Sequence, residues 1–250
     1  MDSLVIAEIA GRDSVAAAIV AVRERGFTRV LPTIAHTGTE TGDPEAPLRA
    51  VDTLARMLGP ECEVLEPLTL TDPTLWAAMN ARYAAGVRSR YGSWSPCLAC
   101  HLYLHLLRVP VSWDRGNAPV IAGERDTHDG RLKLSQLSGG IDAAVRVLAR
   151  AGVELIEPIR HASGAVVADI VGAGWEQDRG QLGCVLSGNY VELDGSVRHD
   201  EAAYERYVSG FFEPVGVAIV DAWRARRDGG PAPDYAAIVG AILRGQPTDG

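Results

Sequence analysis

Lysine is almost missing from this chain: Lys133 is the one lysine among 24 basic residues in 250. Where arginine serves every other one of these positions, that residue stands out as a candidate functional charge. Long apolar runs are also missing. The longest uncharged apolar run, Ser14 to Val22, is too short to cross a bilayer. The start lacks the basic, apolar and small-residue parts of a secretory leader. These absences predict no membrane partner and a cytoplasmic location. There is no excess of positive charge either. A net charge of −8 disfavours a general nucleic-acid binder, so an RNA partner would need a local arginine patch. Four cysteines, Cys62, Cys97, Cys100 and Cys184, are few for a disulfide framework, and without a leader they fit metal or redox chemistry better. A Walker loop, a three-glycine dinucleotide fingerprint and a Gly-x-Ser-x-Gly nucleophile elbow are all absent.

What is present is the pattern of one α/β domain with a helical appendage, 47% apolar and long enough for a large core. Leu4 to Ile9 predicts a strand, followed by a small-residue turn and an alanine-rich helix to Arg25. Arg29 to His36 predicts the second strand, which makes a βαβ unit and a parallel sheet. Pro47 to Leu58 is a helix, Glu63 to Glu66 a strand and Pro73 to Ala85 a helix. A polar loop is expected from Gly86 to Pro96, a helix from Cys97 to Arg108 and a strand from Val120 to Ala122. Ile141 to Ala151 is helical, Glu154 to Ile159 a fifth strand and Ala165 to Ala173 a helical segment. The tail from Asp200 to Arg227 is mostly helical with a break at Pro214, and the end from Asp228 is loose in part.

Ligands of such sheets bind at the carboxyl ends of the strands. The loops that start at Ala10, His36 and Gly123 all leave such ends and should converge. The first aims backbone N–H groups and a helix dipole at one point, which favours an anion. The third, Gly123 to Lys133, carries Arg125, Arg131 and Lys133 as phosphate-neutralising cations, and Asp126 or Asp129 as candidates for Mg²⁺.

Ser95-Pro96-Cys97-Leu98-Ala99-Cys100 puts a capping serine, a first-turn proline and two thiols on one face of a helix start. The dipole there favours thiolates. With Cys184 they form a candidate soft ligand set. Zinc held by the three with His101 or His105, and a metal-free redox pair, remain open alternatives. Cys62, in a strand-like run, fits a buried small hydrophobe. Arg82, Arg88 and Arg90, with Tyr83, Tyr91 and Trp94 between them, suit a nucleobase, phosphate or carboxylate, and Arg88 and Arg90 are the substrate candidates.

The loop Ile9-Ala10-Gly11-Arg12-Asp13-Ser14 resembles the Ser-Gly-Gly-x-Asp-Ser loop of the PP-loop ATP pyrophosphatase superfamily. Gly11, Asp13 and Ser14 match, whereas Ile9 and Ala10 replace the family's serine and first glycine. His36-Thr37-Gly38-Thr39-Glu40 resembles the Asp-Thr-Gly segment of the sulfonucleotide-reductase branch, with His36 at the aspartate position. The Gly123 loop resembles the Gly-x-Arg and Gly-His-x-x-Asp segments of the superfamily. The Cys-x-x-Cys with a distant third cysteine, preceded by Glu157-Pro158-Ile159-Arg160, resembles the iron–sulfur enzymes that thiolate tRNA. The resemblance covers Leu4 to Cys184.

It implies a doubly wound, mainly parallel five-stranded sheet of the HUP, Rossmann-like kind. The implied limits are 1–195 for the nucleotide domain with its cysteines and 196–250 for a helical extension, through which a homodimer is possible. ATP with Mg²⁺ would lie on Ala10, Gly11, Arg12, Asp13, Ser14, His36, Thr37 and Gly123, with Asp13, Arg125 and Lys133 serving the reaction. Cys97, Cys100 and Cys184 would hold a [4Fe–4S] cluster. The implied activity is adenylation of a substrate oxygen followed by sulfur insertion or removal, on a small molecule or nucleobase ahead of tRNA. Two other expectations stay open. One is a different PP-loop reaction, amidation, ligation or sulfonucleotide reduction; the other is a nucleotide-binding module with structural zinc.

Overall fold

The computed structural model describes residues 3–128, 130–172, 175 and 181–245. In chain order the first half contains β1 (Leu4–Glu8), α1 (Arg12–Arg25), β2 (Arg29–Ala35), β3 (Glu40–Thr41), α2 (Ala46–Leu58), β4 (Glu63–Val64), β5 (Leu68–Leu70), α3 (Pro73–Trp76), α4 (Ala84–Tyr91) and α5 (Pro96–Leu106). Then come α6 (Arg108–Trp113), β6 (Val120–Ile121), α7 (Ser138–Arg150), β7 (Leu155–Ile156), α8 (Gly164–Val171), β8 (Gly183–Cys184), α9 (Glu201–Tyr207), α10 (Glu213–Arg227) and α11 (Tyr235–Arg244). The chain forms two units. One takes residues 1–71, 110–133 and 153–185; the other takes 72–109, 134–152 and 186–250.

The first unit is built on a parallel sheet in the order β4-β2-β1-β6-β7, with β5 also on β2. β4 and β5 are two pieces of one edge strand: β4 pairs with Arg29 and Val30, and β5 with Thr33 to Ala35. Pro67 lies between the pieces and has no N–H to offer a ladder. Five sheet positions therefore hold six strands. Strands are added to one side of β1 and then, from β6 onward, to the other, which is the reversal of a doubly wound sheet. β1 sits at its centre, and Val5, Ile6 and Ala7 are fully buried, as suits a strand covered on both faces. The alanines of α1 have the same cause: Ala16, Ala17 and Ala18 are fully buried and let the helix lie close. Gly26 ends α1 at φ 67, its N–H donating to Val22 O at 2.9 Å. β3 and β8 form a separate antiparallel pair that sets Glu40 opposite Cys184.

The second unit is helical. α5 packs on α3, α7, α10 and the π turn Ala77–Ala81, and α10 packs on α7 and α11. Gly216 permits a close approach of α10 to α7 and α5, since a Cβ there would meet Val147 Cγ1 at 2.8 Å and Leu102 Cδ2 at 3.1 Å. Tyr91, Tyr207, Phe211 and Phe212 form an aromatic group beside it.

Several sequence expectations change. The cysteine helix and α7 pack with the C-terminal helices, so the units interleave in sequence and are not divided at 195/196. The expected loop from Gly86 is mostly α4, because Leu243 of α11 packs against Gly86, where a Cβ would stand 2.7 Å from its Cδ2. The expected loose end from Asp228 holds α11, started by Asp234, whose side chain accepts from Ala237 N–H at 2.9 Å. The break in the tail is a π turn at Val208–Phe212, with Pro214 in the first turn of α10. Pro73 to Ala85 is interrupted by its π turn, and the fifth strand keeps only Leu155–Ile156. Ala173, the expected end of α8, lies outside the described residues. Cys62 is buried as expected, and burial pushes its thiol pKa up. Among the described residues no helix is long and apolar enough to cross a membrane.

Gly123 is where the loop after β6 meets the first turn of α1: a Cβ there would stand 2.6 Å from Ser14 N and 2.8 Å from Asp13 C, both backbone atoms. Gly123→Ala is expected to destabilise the fold by about 1–3 kcal/mol, read as a lower denaturation midpoint at unchanged m.

Candidate functional site

The reversal at β1 makes two loops neighbours, the one after β1 and the one after β6. In the first, Ser14 Oγ accepts from the amides of Ala10 and Gly11, at 3.0 Å each, and donates to Gly11 O at 2.7 Å. The two amides expected to face phosphate thus bond to Ser14. The amides of Arg12, Asp13 and Ser14 precede the first intrahelical bond, Val15 N–H to Gly11 O at 3.1 Å, and are the donors this helix start offers an anion. Gly11 is extended, at φ 174, and the Gln181 side chain covers it: Cβ and Oε1 would each lie 2.8 Å from an added Cβ.

Arg125 joins the two loops. Its Nε donates to Asp13 Oδ2 at 2.7 Å and its Nη1 donates to Thr127 O at 3.0 Å and Ala162 O at 3.1 Å. The side chain is 5% exposed, and Arg12 Nε holds the other Asp13 oxygen at 3.2 Å. Arg125 is therefore a clamp on Asp13, with three of its directions already used. Lys133 feels Asp13, Arg125, Glu124 and Arg12. Its ammonium pKa is lowered, first by loss of water around it; Asp13 opposes this and Arg125 adds to it. The residue is nevertheless exposed as a whole, so an anion arriving from solvent can reach it.

Sequence reasoning missed His128, which the same loop buries to 8% exposure. Its pKa is lowered by burial, then by Lys133 and Arg125, so the ring is neutral at neutral pH. The available signal was its place between those two cations in a charge-dense loop. Asp126, a Mg²⁺ candidate, is ion-paired with Arg160 at 3.2 Å and bonded to His161 Nδ1 at 3.0 Å, which ties the loop to the segment after β7. Asp129, the other candidate, lies outside the described residues.

The loop after β2 is held by Glu40, which accepts from Thr37 N–H at 2.6 Å, Thr37 Oγ1 at 2.7 Å and Gly38 N–H at 2.9 Å. Burial raises the Glu40 pKa, but these bonds outweigh it and the net shift is downward. Thr37 thus serves the turn, and His36 N–H donates to Leu70 O at 2.8 Å at the strand end. Cys184 Sγ lies 3.2 Å from Thr39 Oγ1 and is exposed.

Cys97 and Cys100 belong to the helical unit, on α5, which Ser95 caps by accepting from Cys97 N–H at 3.3 Å. Cys97 Sγ accepts from Asn189 Nδ2 at 3.0 Å and lies 3.6 Å from Leu186 O. Cys97 and Cys100 are half-buried, Cys184 is exposed, and none of the three is in a disulfide. Among the described residues no group of three or more His, Cys, Asp or Glu is gathered as for a metal. In the same unit Arg90 bonds to Leu243 O near the end of α11 and stacks over Tyr91 at 5.7 Å, so its guanidinium already serves a helix end. Arg88 is exposed on α4.

Lysine cannot reproduce the Arg125 fork. Arg125→Lys is expected to lower stability by about 1–3 kcal/mol, through the acceptors it leaves without partners, with thermal denaturation as the measurement.

No protein-family model matches the chain. Among solved structures it is similar, at 14% identity and a TM-score of 0.39, to a predicted subunit of tRNA methyltransferase from Methanocaldococcus jannaschii, over 68% of this chain and 75% of that one. It is also similar, at 10% identity and a TM-score of 0.39, to the U34-tRNA thiolase NcsA from Methanococcus maripaludis with its [4Fe-4S] cluster, over 97% of this chain and 71% of that one. Both likenesses are too distant to argue from. The sequence is 35% identical over 221 residues to the uncharacterized protein MJ0009 of Methanocaldococcus jannaschii, across 87% of this chain and 79% of that protein. At that identity and coverage the chain belongs to the family of MJ0009.

Proposed function

We propose that this chain is an ATP-dependent enzyme of the PP-loop type that activates its substrate by adenylation and replaces an oxygen by sulfur or, with the sulfur adenylated and water as the nucleophile, a sulfur by oxygen. One observation carries the reading: at the reversal of the sheet, the N-terminus of α1, the Asp13–Arg125 pair and Lys133 meet on loops that leave two adjacent strands. This is where doubly wound sheets take nucleotides. In the reaction the substrate oxygen attacks the α-phosphorus of ATP, the bond to the β-phosphate oxygen breaks, and pyrophosphate leaves; Mg²⁺ bound with ATP would supply further positive charge there. A sulfur nucleophile then displaces AMP. The amides of Arg12 to Ser14 would hold phosphoryl oxygens, and Lys133 would balance the charge that develops on pyrophosphate. Arg125 would keep Asp13 in place.

The sulfur half of the reading rests on the thiols. Thiolates are the donors an iron–sulfur centre takes, and Cys97, Cys100 and Cys184 would hold the [4Fe–4S] cluster. Such a centre would supply an iron at which sulfur is carried. A nucleobase or small molecule is the favoured substrate, with tRNA second, and the cytoplasm the favoured location.

The Ser14 hydroxyl favours a second reading, because it occupies the Ala10 and Gly11 amides. A site so filled would bind a nucleotide without cleaving it.

Asp13→Asn is expected to lower pyrophosphate release, assayed with candidate nucleobase and small-molecule substrates, by about 100-fold or more. Release at the wild-type rate would sink the adenylation reading, and ATP binding with no release by the wild type would favour the second. Anaerobic purification is expected to give a brown protein absorbing near ~400 nm, bleached by Cys97→Ala. A colourless protein carrying one zinc per chain would rule out the cluster.

A further inference from the structure

We infer that His128 is a ligand contact of this site, its buried ring donating a hydrogen bond to a phosphoryl oxygen of the bound nucleotide. The inference rests on the nucleotide reading above and goes beyond it in assigning a residue that no part of that reading uses. His128 is 8% exposed, and neither ring nitrogen has a hydrogen-bond partner among the described residues. The Arg125 main chain approaches the ring without reaching hydrogen-bonding geometry.

A neutral imidazole has one N–H donor and one lone-pair acceptor. Left buried and unpaired, each loses the hydrogen bond it had to water, whereas an apolar side chain of similar size fills the same space without that penalty. A histidine at this position therefore destabilises the free protein unless something else supplies the partner. That something fits the surroundings. Asp13, Arg125 and Lys133 act on the ring electrostatically, and Arg12 belongs to the same charged group. Both Asp13 oxygens are already paired with arginines. What remains available to a ligand is positive charge and N–H donors, including the first amides of α1. A phosphoryl oxygen accepts from all of them.

The test compares the full-length wild type with His128→Leu and His128→Gln. It measures thermal midpoints and calorimetric titration with Mg-ATP and, separately, with inorganic pyrophosphate. The Leu variant is expected to melt no lower than the wild type and to bind pyrophosphate and ATP at least tenfold more weakly; the Gln variant, which keeps a donor, is expected to recover part of that loss. Equal affinity, or a clearly lower melting point at full occupancy of the fold, overturns the inference. Should the Leu variant not fold, ¹⁵N shifts of the His128 ring in the wild type decide: they move on adding pyrophosphate if the ring binds it, and stay fixed if it does not. Wild-type affinity for ATP without dependence on His128 overturns this inference and leaves the proposed function standing. Dependence on His128 for pyrophosphate alone, with no ATP binding, overturns the ATP reading and, with it, the nucleotide as the ligand of His128. Binding of neither overturns both.

Discussion

A guanidinium buried at the end of a sheet must find an acceptor for its charge, and Arg125 finds it in Asp13, at 2.7 Å, on the first turn of α1. The rest of the site depends on that pair. Its two ends come from the loops after β1 and β6, so the bond fixes the helix start against the loop that carries His128 and Lys133. Thr127 O and Ala162 O take further N–H groups of Arg125, which extends the tie to the segment leading to α8. Removing one partner of such a pair leaves the other charge uncompensated, so neither residue can change alone without strain on both loops.

The pair forms only because the backbones come close enough, and Gly123 provides this. At 2.6 Å from Ser14 N there is no space for a Cβ, so the glycine belongs to packing before it belongs to any ligand. Ser14 shows the same economy in reverse: one hydroxyl satisfies two loop amides and returns a bond to Gly11 O. The loop is thereby ordered without a ligand, and its anion-facing donors shift from Ala10 and Gly11 to the first turn of α1. The second loop is ordered by Glu40 in the same self-contained way, and its β3 strand brings Cys184 beside Thr39. In the helical unit, small residues again set the spacing: Gly216 lets α10 lie on α5 and α7, and Gly86 admits Leu243.

Much of the first unit was legible in the sequence. The apolar run of β1, the alanine-rich α1 and the bounded β2 follow from periodicity and from end signals that act over a few residues. The cap at Ser95 was legible for the same reason, and so was the burial of Cys62. Less legible were elements whose stability comes from distant partners. α4 forms through a glycine that local propensity disfavours, and α11 follows a stretch rich in glycine and proline.

The sequence by itself determined that the sheet is parallel, that the first and third loops leave strand ends, and which residues carry charge or thiol. Those features depend on neighbours in the chain. Only the tertiary structure decided that Arg125 clamps Asp13, that Asp126 is paired with Arg160, that Arg90 serves a helix end and that His128 is buried with no hydrogen-bond partner among the described residues. The reason is physical: a charged or polar side chain is assigned its role by whichever groups burial brings to it, and those groups lie tens of residues away along the chain.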